Sequence, residues 1–231
     1  VEVFVQKTAP GWVLGYNSVM ISHVDNDRIN TVEDVLKCDK SIDFGIGDPN
    51  STSGFLVPSF YVFANNDVDP KACFKTMRHA NHETNLMAVA NKQVDAAVIS
   101  SGQINRSLKK APEAAAKLKK IWISPVIPDD PIVYRRDLSL PLKNRIKSFF
   151  LAFGRVGDVE SAQKILTDMS DPFGLFIDSS NAQLYVTRQL ILFKNKRKLE
   201  ADDRMDSSEK SSKIKEIDDK LRVLEVLTSH K

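Results

Sequence analysis

The stretch IDFGIGDPNSTSGFLVP, residues 42–58, joins a short apolar run to a cluster of small hydroxyls and a glycine, Ser51, Thr52, Ser53 and Gly54, and then to a second apolar run. The first run suits a short buried strand. The second suits a helix beginning near Ser53, with Pro58 in its first turn. A strand-to-helix junction of this kind gathers unpaired backbone N–H groups, the positive end of a helix dipole and hydroxyl donors at one point, which is where a phosphate-like oxyanion fits. The plainer reading is that Asp48, Asn50 and Ser51 only form a turn and a cap. The stretch contains no G-x-x-x-x-G-K-[ST] and no G-x-S-x-G, so neither a nucleotide P-loop nor a nucleophile elbow is supported.

Working outward, VEVFVQK at the start alternates apolar and polar residues, as a strand with one covered face does. After the turn-prone APGW, GYNSVMISH reads as a second strand. TVEDVLKCD predicts a short helix capped by Thr31. ETNLMAVANKQ predicts an amphipathic helix and VDAAVIS a buried strand, so strands and helices alternate as in an α/β fold. SLKKAPEAAAKLKK reads as helix broken at Pro112. IWISPVIPDDPIVYRR reads as a strand, a proline-rich crossing and a second strand, and helices follow at LPLKNRIKSFFLAFG and VESAQKILTDM.

The 231 residues suit one large domain or two small ones, and 33 basic against 30 acidic residues give a net charge of +3, which does not favour a nucleic-acid partner. No run reaches the roughly 18 apolar residues of a membrane span, and the start lacks the pattern of a signal peptide, so a soluble chain without an address is expected. Cys38 and Cys73 match no zinc spacing. Two separate buried thiols are the plainer expectation, with a disulfide as the alternative in an oxidising compartment. From about Asn181 the composition shifts to long charged side chains. Ile214, Ile217, Leu221 and Leu224 recur at spacings of three and four, the seam of a short coiled coil, so this tail reads as an interaction helix and suggests a homodimer. The basic run KNKRK within it reads as a solvated helix face.

Three further groups carry candidate chemistry. His79 and His82 in RHANHETN stand three apart, but the H-E-x-x-H pattern is absent and no third metal ligand is nearby. His82, at a loop-to-helix junction, suits a hydrogen bond to an anion, with Glu83 and Thr84 capping the helix. Tyr16 in GYNSVMI, and Asp129 and Asp130 between prolines, complete the set; paired acids beside prolines are usually a solvated turn.

GDPNSTSGFLVPSFYVFANN, HETNLMAVANKQVDAAV and WISPVIPDDPIVYR, in that order and spacing, resemble the periplasmic phosphonate-binding proteins of bacterial ABC importers, and the likeness extends to TRQLILFK. The resemblance implies a type II periplasmic binding protein: two α/β lobes joined by a hinge around one small ligand, without catalysis and without a cofactor. It implies that Ser51, Thr52 and Ser53 bind the phosphonate oxygens through hydroxyls and backbone N–H groups, with Tyr16 and His82 as further donors. Asp130 matches an acid near the organic end of the ligand, where a carboxylate can pair with an amino group. The implied partners are a small phosphonate and an inner-membrane permease, in the periplasm.

Two departures accompany the resemblance. Gly102, in SSGQ, stands where relatives that bind aminoethylphosphonate place a second acid, which leaves Ser100, Ser101 or Gln103 to meet a neutral or smaller substituent. The start of the chain aligns with a point well inside the family's first lobe, so the resemblance implies an incomplete first lobe, as in a piece of a longer protein or a truncation. Residues 1–17 and 122–185 are assigned to that lobe, 18–121 to the second, and 186–231 to a C-terminal helical extension, with hinges near Tyr16 and Trp122. Two other readings stay open: a phosphoryl-group hydrolase with Ser51 or Thr52 as nucleophile and His82 as base, and a remnant that dimerises through its tail and binds nothing.

Overall fold

The computed structural model describes residues 1–9, 14–169 and 174–229; most of the APGW turn lies outside them. The chain forms two compact units. One comprises residues 1–16, 128–186 and those from Val223 on; the other comprises 17–127 and 187–222. The strands, in chain order, are β1 (Glu2–Lys7), β2 (Gly15–Tyr16), β3 (Ser18–His23), β4 (Asp43–Ile46), β5 (Thr76–His79), β6 (Ala96–Ser100), β7 (Leu118–Ile123), β8 (Ile127–Pro128), β9 (Pro131–Tyr134) and β10 (Phe176–Asp178). The short strands β2 and β8 lie where the chain passes from one unit to the other.

The larger unit is a five-stranded sheet ordered β5-β4-β6-β3-β7. Strands β4, β5 and β6 run parallel, while β3 is antiparallel to β6 and β7. Side chains alternate between its two faces, as the pleat dictates. Met20, Phe44, Ile46 and Val98 pack on one face with Val35, Val62, Phe63 and Phe74. Val19, Ile21, Ala97 and Ile99 pack on the other with Leu86 and Val89 of the helix His82–Ala90. Both faces are covered, so β3 and β6 are buried along their whole length, and their middles, Val19 to Ile21 and Ala96 to Ile99, are apolar on both faces rather than alternating. Gly45 lets the covering helix approach closely: a Cβ there would stand 2.8 Å from both the Ala97 Cβ and the Asn85 Oδ1.

The smaller unit holds the antiparallel sheet β10-β1-β9. Its core is Phe4, Val5, Leu166 and Phe176, with Phe4 stacked on Tyr134 at 4.4 Å and edge-on to Phe150 of the helix Leu140–Ala152.

Several readings are revised by this structure. GYNSVMISH is two strands, because Asn17 leaves the ladder to exchange backbone and side-chain bonds with Ser101 and Ser124. The closing KLKK of the broken helix belongs mostly to β7, after helices Ser101–Lys110 and Pro112–Ala116. Strands β5 and β10 carry no run of apolar residues long enough to be read. Cys38 and Cys73 are bonded to each other rather than being separate thiols; the folded chain brings the loop after the helix Val32–Val35 onto the helix Pro70–Cys73. The tail is two helices, Tyr185–Glu200 and Ser207–Ser229. Half of its seam is buried within the chain, Ile217 and Leu224 being 9% and 8% exposed, while Ile214 and Leu221 are half-buried; Lys196 pairs with Asp218 at 2.6 Å.

Candidate functional site

Three parallel strands of the larger unit end at one edge of the sheet, and each feeds a helix there. After β4 comes the helical stretch 52–66, after β5 the helix His82–Ala90, and after β6 the helix Ser101–Lys110. The carboxyl edge of parallel strands is where open α/β sheets bind ligands, because helix N-termini with unpaired N–H groups collect there.

The first of these N-termini is built by the hydroxyl cluster. Ser51 is the N-cap, and its Oγ accepts from the Gly54 N–H at 3.0 Å. The backbone N–H groups of Thr52 and Ser53, and the Thr52 hydroxyl, have no partner among the described residues. The helix opens with a π-type turn over Thr52–Leu56 and repeats it over Ser59–Phe63. Pro58 explains part of that irregularity. It lies inside the helix, not in the first turn, and having no N–H it cannot donate to the Gly54 carbonyl. That carbonyl accepts from Gly47 N–H instead, at 2.8 Å, which ties the helix start back to the end of β4. The approach requires two glycines: a Cβ on Gly47 would lie 2.6 Å from the Gly54 Cα. Ser18 of β3 fixes the same turn, its Oγ donating to the Ser53 carbonyl at 2.6 Å.

The second N-terminus brings His82 to the first. Its helix is capped by Asn81, whose side chain accepts from Thr84 N–H at 2.8 Å, so the cap is Asn81 and not Glu83 or Thr84. His82 Nε2 lies 3.3 Å from Ser53 Oγ, a residue only 3% exposed. Its other ring nitrogen, Nδ1, is buried without a hydrogen-bond partner among the described residues. Burial, with a smaller contribution from the Arg106 guanidinium, holds the His82 pKa below its ordinary value. The ring is therefore neutral at pH 7 and carries one proton, on one nitrogen or the other. His79, by contrast, uses its Nδ1 on the Gly47 carbonyl at 2.8 Å. No group of three or more His, Cys, Asp or Glu side chains among the described residues is placed to hold a metal.

The third N-terminus is capped by Ser100, whose Oγ accepts from Gln103 N–H at 3.2 Å. Gly102 lies in its first turn, and the Arg106 guanidinium folds back towards it, donating to Gln103 Oε1 at 3.0 Å. Sequence reasoning missed Arg106. Nothing marks it in the sequence; only the helical return of its side chain brings it to this edge.

An oxyanion site made this way uses neutral donors: two free N–H groups, three hydroxyls and an imidazole. The pairing of Ser53 with His82 falls short of an activated nucleophile, because the Nδ1 that an orienting carboxylate would hold has no partner among the described residues.

Residues 1–184 match the family model of the phosphonate ABC transporter periplasmic substrate-binding protein. The chain belongs to this family. It is 40% identical over 228 residues to the phosphonates-binding periplasmic protein of Escherichia coli K12, covering 99% of this chain and 65% of that protein. It therefore spans just under two thirds of that relative's length. A crystal structure of a binding-protein component of an ABC phosphonate transporter from Pseudomonas aeruginosa matches with 41% identity and a TM-score of 0.79, over 99% of this chain and 74% of that one. The structure of PhnD1 from Prochlorococcus marinus in complex with methylphosphonate shares the fold at 22% identity and a TM-score of 0.65, over 84% of this chain and 71% of that one. The fold is thus the mixed α/β fold of the type II periplasmic binding proteins, with a helical C-terminal part. The family is one of transporter substrate-binding components, not of enzymes.

Of the six residues singled out from sequence, the structure brings together Ser51, Thr52, Ser53 and His82 in the larger unit. Tyr16 and Asp130 belong to the smaller unit, where Tyr16 is half-buried and Asp130 is exposed. Asp129, beside it, is the more enclosed of the two acids. Burial raises its pKa, and its backbone carbonyl accepts from Gln183 Nε2 at 2.5 Å.

Proposed function

We propose that this protein binds a phosphonate through the Ser51, Thr52, Ser53 and His82 cradle and delivers it to the permease of an ABC importer, in the periplasm. The observation that carries the reading is the pair of N–H groups on Thr52 and Ser53, without partners among the described residues, beside a half-buried His82 whose pKa is held below its ordinary value. A phosphonate oxygen offers the acceptors that these groups lack. Helix N-termini favour such an anion without a fixed positive charge. Tyr16 and Asp130 enter only through the resemblance to the family, and the two compact units are read as its two lobes. The Escherichia coli relative is a phosphonates-binding protein and the Pseudomonas aeruginosa one a component of a phosphonate transporter, which supports the ligand class. A phosphoryl-group hydrolase is not favoured, since among the described residues it is Ser53, not Ser51 or Thr52, that meets His82, and the imidazole lacks the third, orienting group. A homodimer through the tail is not favoured either, because Ile217 and Leu224 are already buried.

Calorimetric titration with methylphosphonate, aminoethylphosphonate and phosphate tests the reading. Binding of a phosphonate that is lost in a Ser51→Ala, Thr52→Ala double variant supports it. A Thr52→Ala variant, which leaves the Ser51 cap intact, separates lost contacts from a disturbed helix start. Phosphonate binding that is unchanged in both variants overturns the cradle.

A further inference from the structure

We propose that Arg106, standing over the side-chain-free Gly102 at the edge of this cradle, selects phosphonates whose organic group carries a second anion, a carboxylate being the simplest case, over those carrying an ammonium. The inference rests on the phosphonate reading above and names the substituent that reading leaves open. Gly102 and Arg106 sit on the same helix, four residues apart and so on one face. A Cβ at Gly102 would lie 3.7 Å from Arg106 Nη1 and 3.9 Å from Ser100 Oγ, ordinary contact distances, so the guanidinium borders the space a side chain there would take. Its single hydrogen-bond partner among the described residues is the neutral Gln103 Oε1. No carboxylate among the described residues forms an ion pair with it, and neither Asp48 in the loop before Ser51 nor Glu83 beside His82 does so. Arg106 also contributes to holding His82 neutral, which ties its charge to the cradle.

A guanidinium with open N–H groups recognises a carboxylate through charge-assisted, often bidentate bonds, and repels an ammonium. An acid at position 102 would face this guanidinium and cancel it. Glycine leaves it uncancelled. Arg106 is exposed, so its influence is screened by salt and is strongest at low ionic strength.

The test compares phosphonoacetate, aminoethylphosphonate and methylphosphonate by calorimetry at low and high salt, in the natural protein, Arg106→Gln and Gly102→Asp. Circular dichroism checks that each variant is folded. Gly102 does not occupy a left-handed conformation, so Gly102→Asp introduces no backbone strain. The expected result is that the natural protein prefers phosphonoacetate to aminoethylphosphonate by about tenfold or more, the size of one charge-assisted hydrogen bond. That preference shrinks at high salt, disappears in Arg106→Gln and is abolished or reversed in Gly102→Asp, and in both variants the loss for phosphonoacetate exceeds by about tenfold any change for methylphosphonate. A natural preference for aminoethylphosphonate, or a ranking unchanged in Arg106→Gln, overturns the assignment of Arg106 while leaving the cradle standing. Failure of the natural protein to bind any of the three overturns the phosphonate reading itself, and this inference with it.

Discussion

At Gly54 three parts of the site meet at a distance no side chain can enter. A Cβ there would lie 2.8 Å from Ser51 Oγ, 3.0 Å from Gly47 Cα and 3.1 Å from His82 Cε1. Gly54→Ala should therefore push the cap, the β4 turn and the imidazole apart. The expected cost is about 1–3 kcal/mol of stability, read by denaturant unfolding, together with weakened phosphonate binding. His82 gives a second prediction at this scale. Its pKa is lowered from 6.5 by burial and then by Arg106. A histidine with a depressed folded pKa takes its proton more readily in the unfolded chain. Its contribution to stability is thus present above about pH 6.5 and is lost as pH falls below that value. An NMR titration should give His82 a midpoint below 6.5 in the free protein, and a higher one with phosphonate bound, because an anion favours the imidazolium. A free-protein midpoint at or above 6.5 would contradict the desolvated imidazole described here.

At the scale of elements, the hydroxyl cluster was readable because its members are adjacent in sequence and follow an apolar run. Ser51 as cap and a helix starting near Ser53 need only local chemistry, and the structure begins that helix at Thr52. The π-type turns were not readable, since they depend on Pro58 releasing a carbonyl that Gly47 then takes. Strand β5 was hidden for a related reason. TMRH becomes a strand only because β4 lies beside it and pairs with it in parallel, from Asp43 opposite Thr76 to Ile46 opposite His79. The Arg106 guanidinium and the unpartnered His82 Nδ1 were likewise out of reach, as both depend on where a helix turns a side chain after folding. The disulfide belongs to this scale as well. It closes a loop of 35 residues between two short helices. The chain-entropy model gives such a bond about 3–4 kcal/mol. Thermal unfolding with and without a reductant should show a clear drop in midpoint on reduction, and no drop would mean that the apolar cluster around Cys73 holds these helices unaided.

At the scale of the whole molecule, each unit has its own apolar core, one around the five-stranded sheet and one around Phe4, Phe176 and Leu166. The alternation of strands and helices gave the fold class. The motif order gave the family, and the match over residues 1–184 bears that out. The tail reads differently once folded. A seam at heptad spacing normally calls for a partner, but Ile217 and Leu224 are buried in this chain. Sedimentation equilibrium should therefore return a mass near 25.9 kDa. Replacing Leu221 and Leu224 by alanine should leave that mass unchanged while lowering the thermal midpoint. A mass of twice this value that falls on substitution would restore the interaction helix.

The central claim is that a phosphonate is held by the open end of the helix that starts after Ser51. Amide resonances followed during a methylphosphonate titration test it most directly. The account predicts that the Thr52 and Ser53 N–H signals move most and shift downfield as hydrogen bonds form, with the His82 ring following. Saturable binding that leaves these two amides unmoved would contradict it.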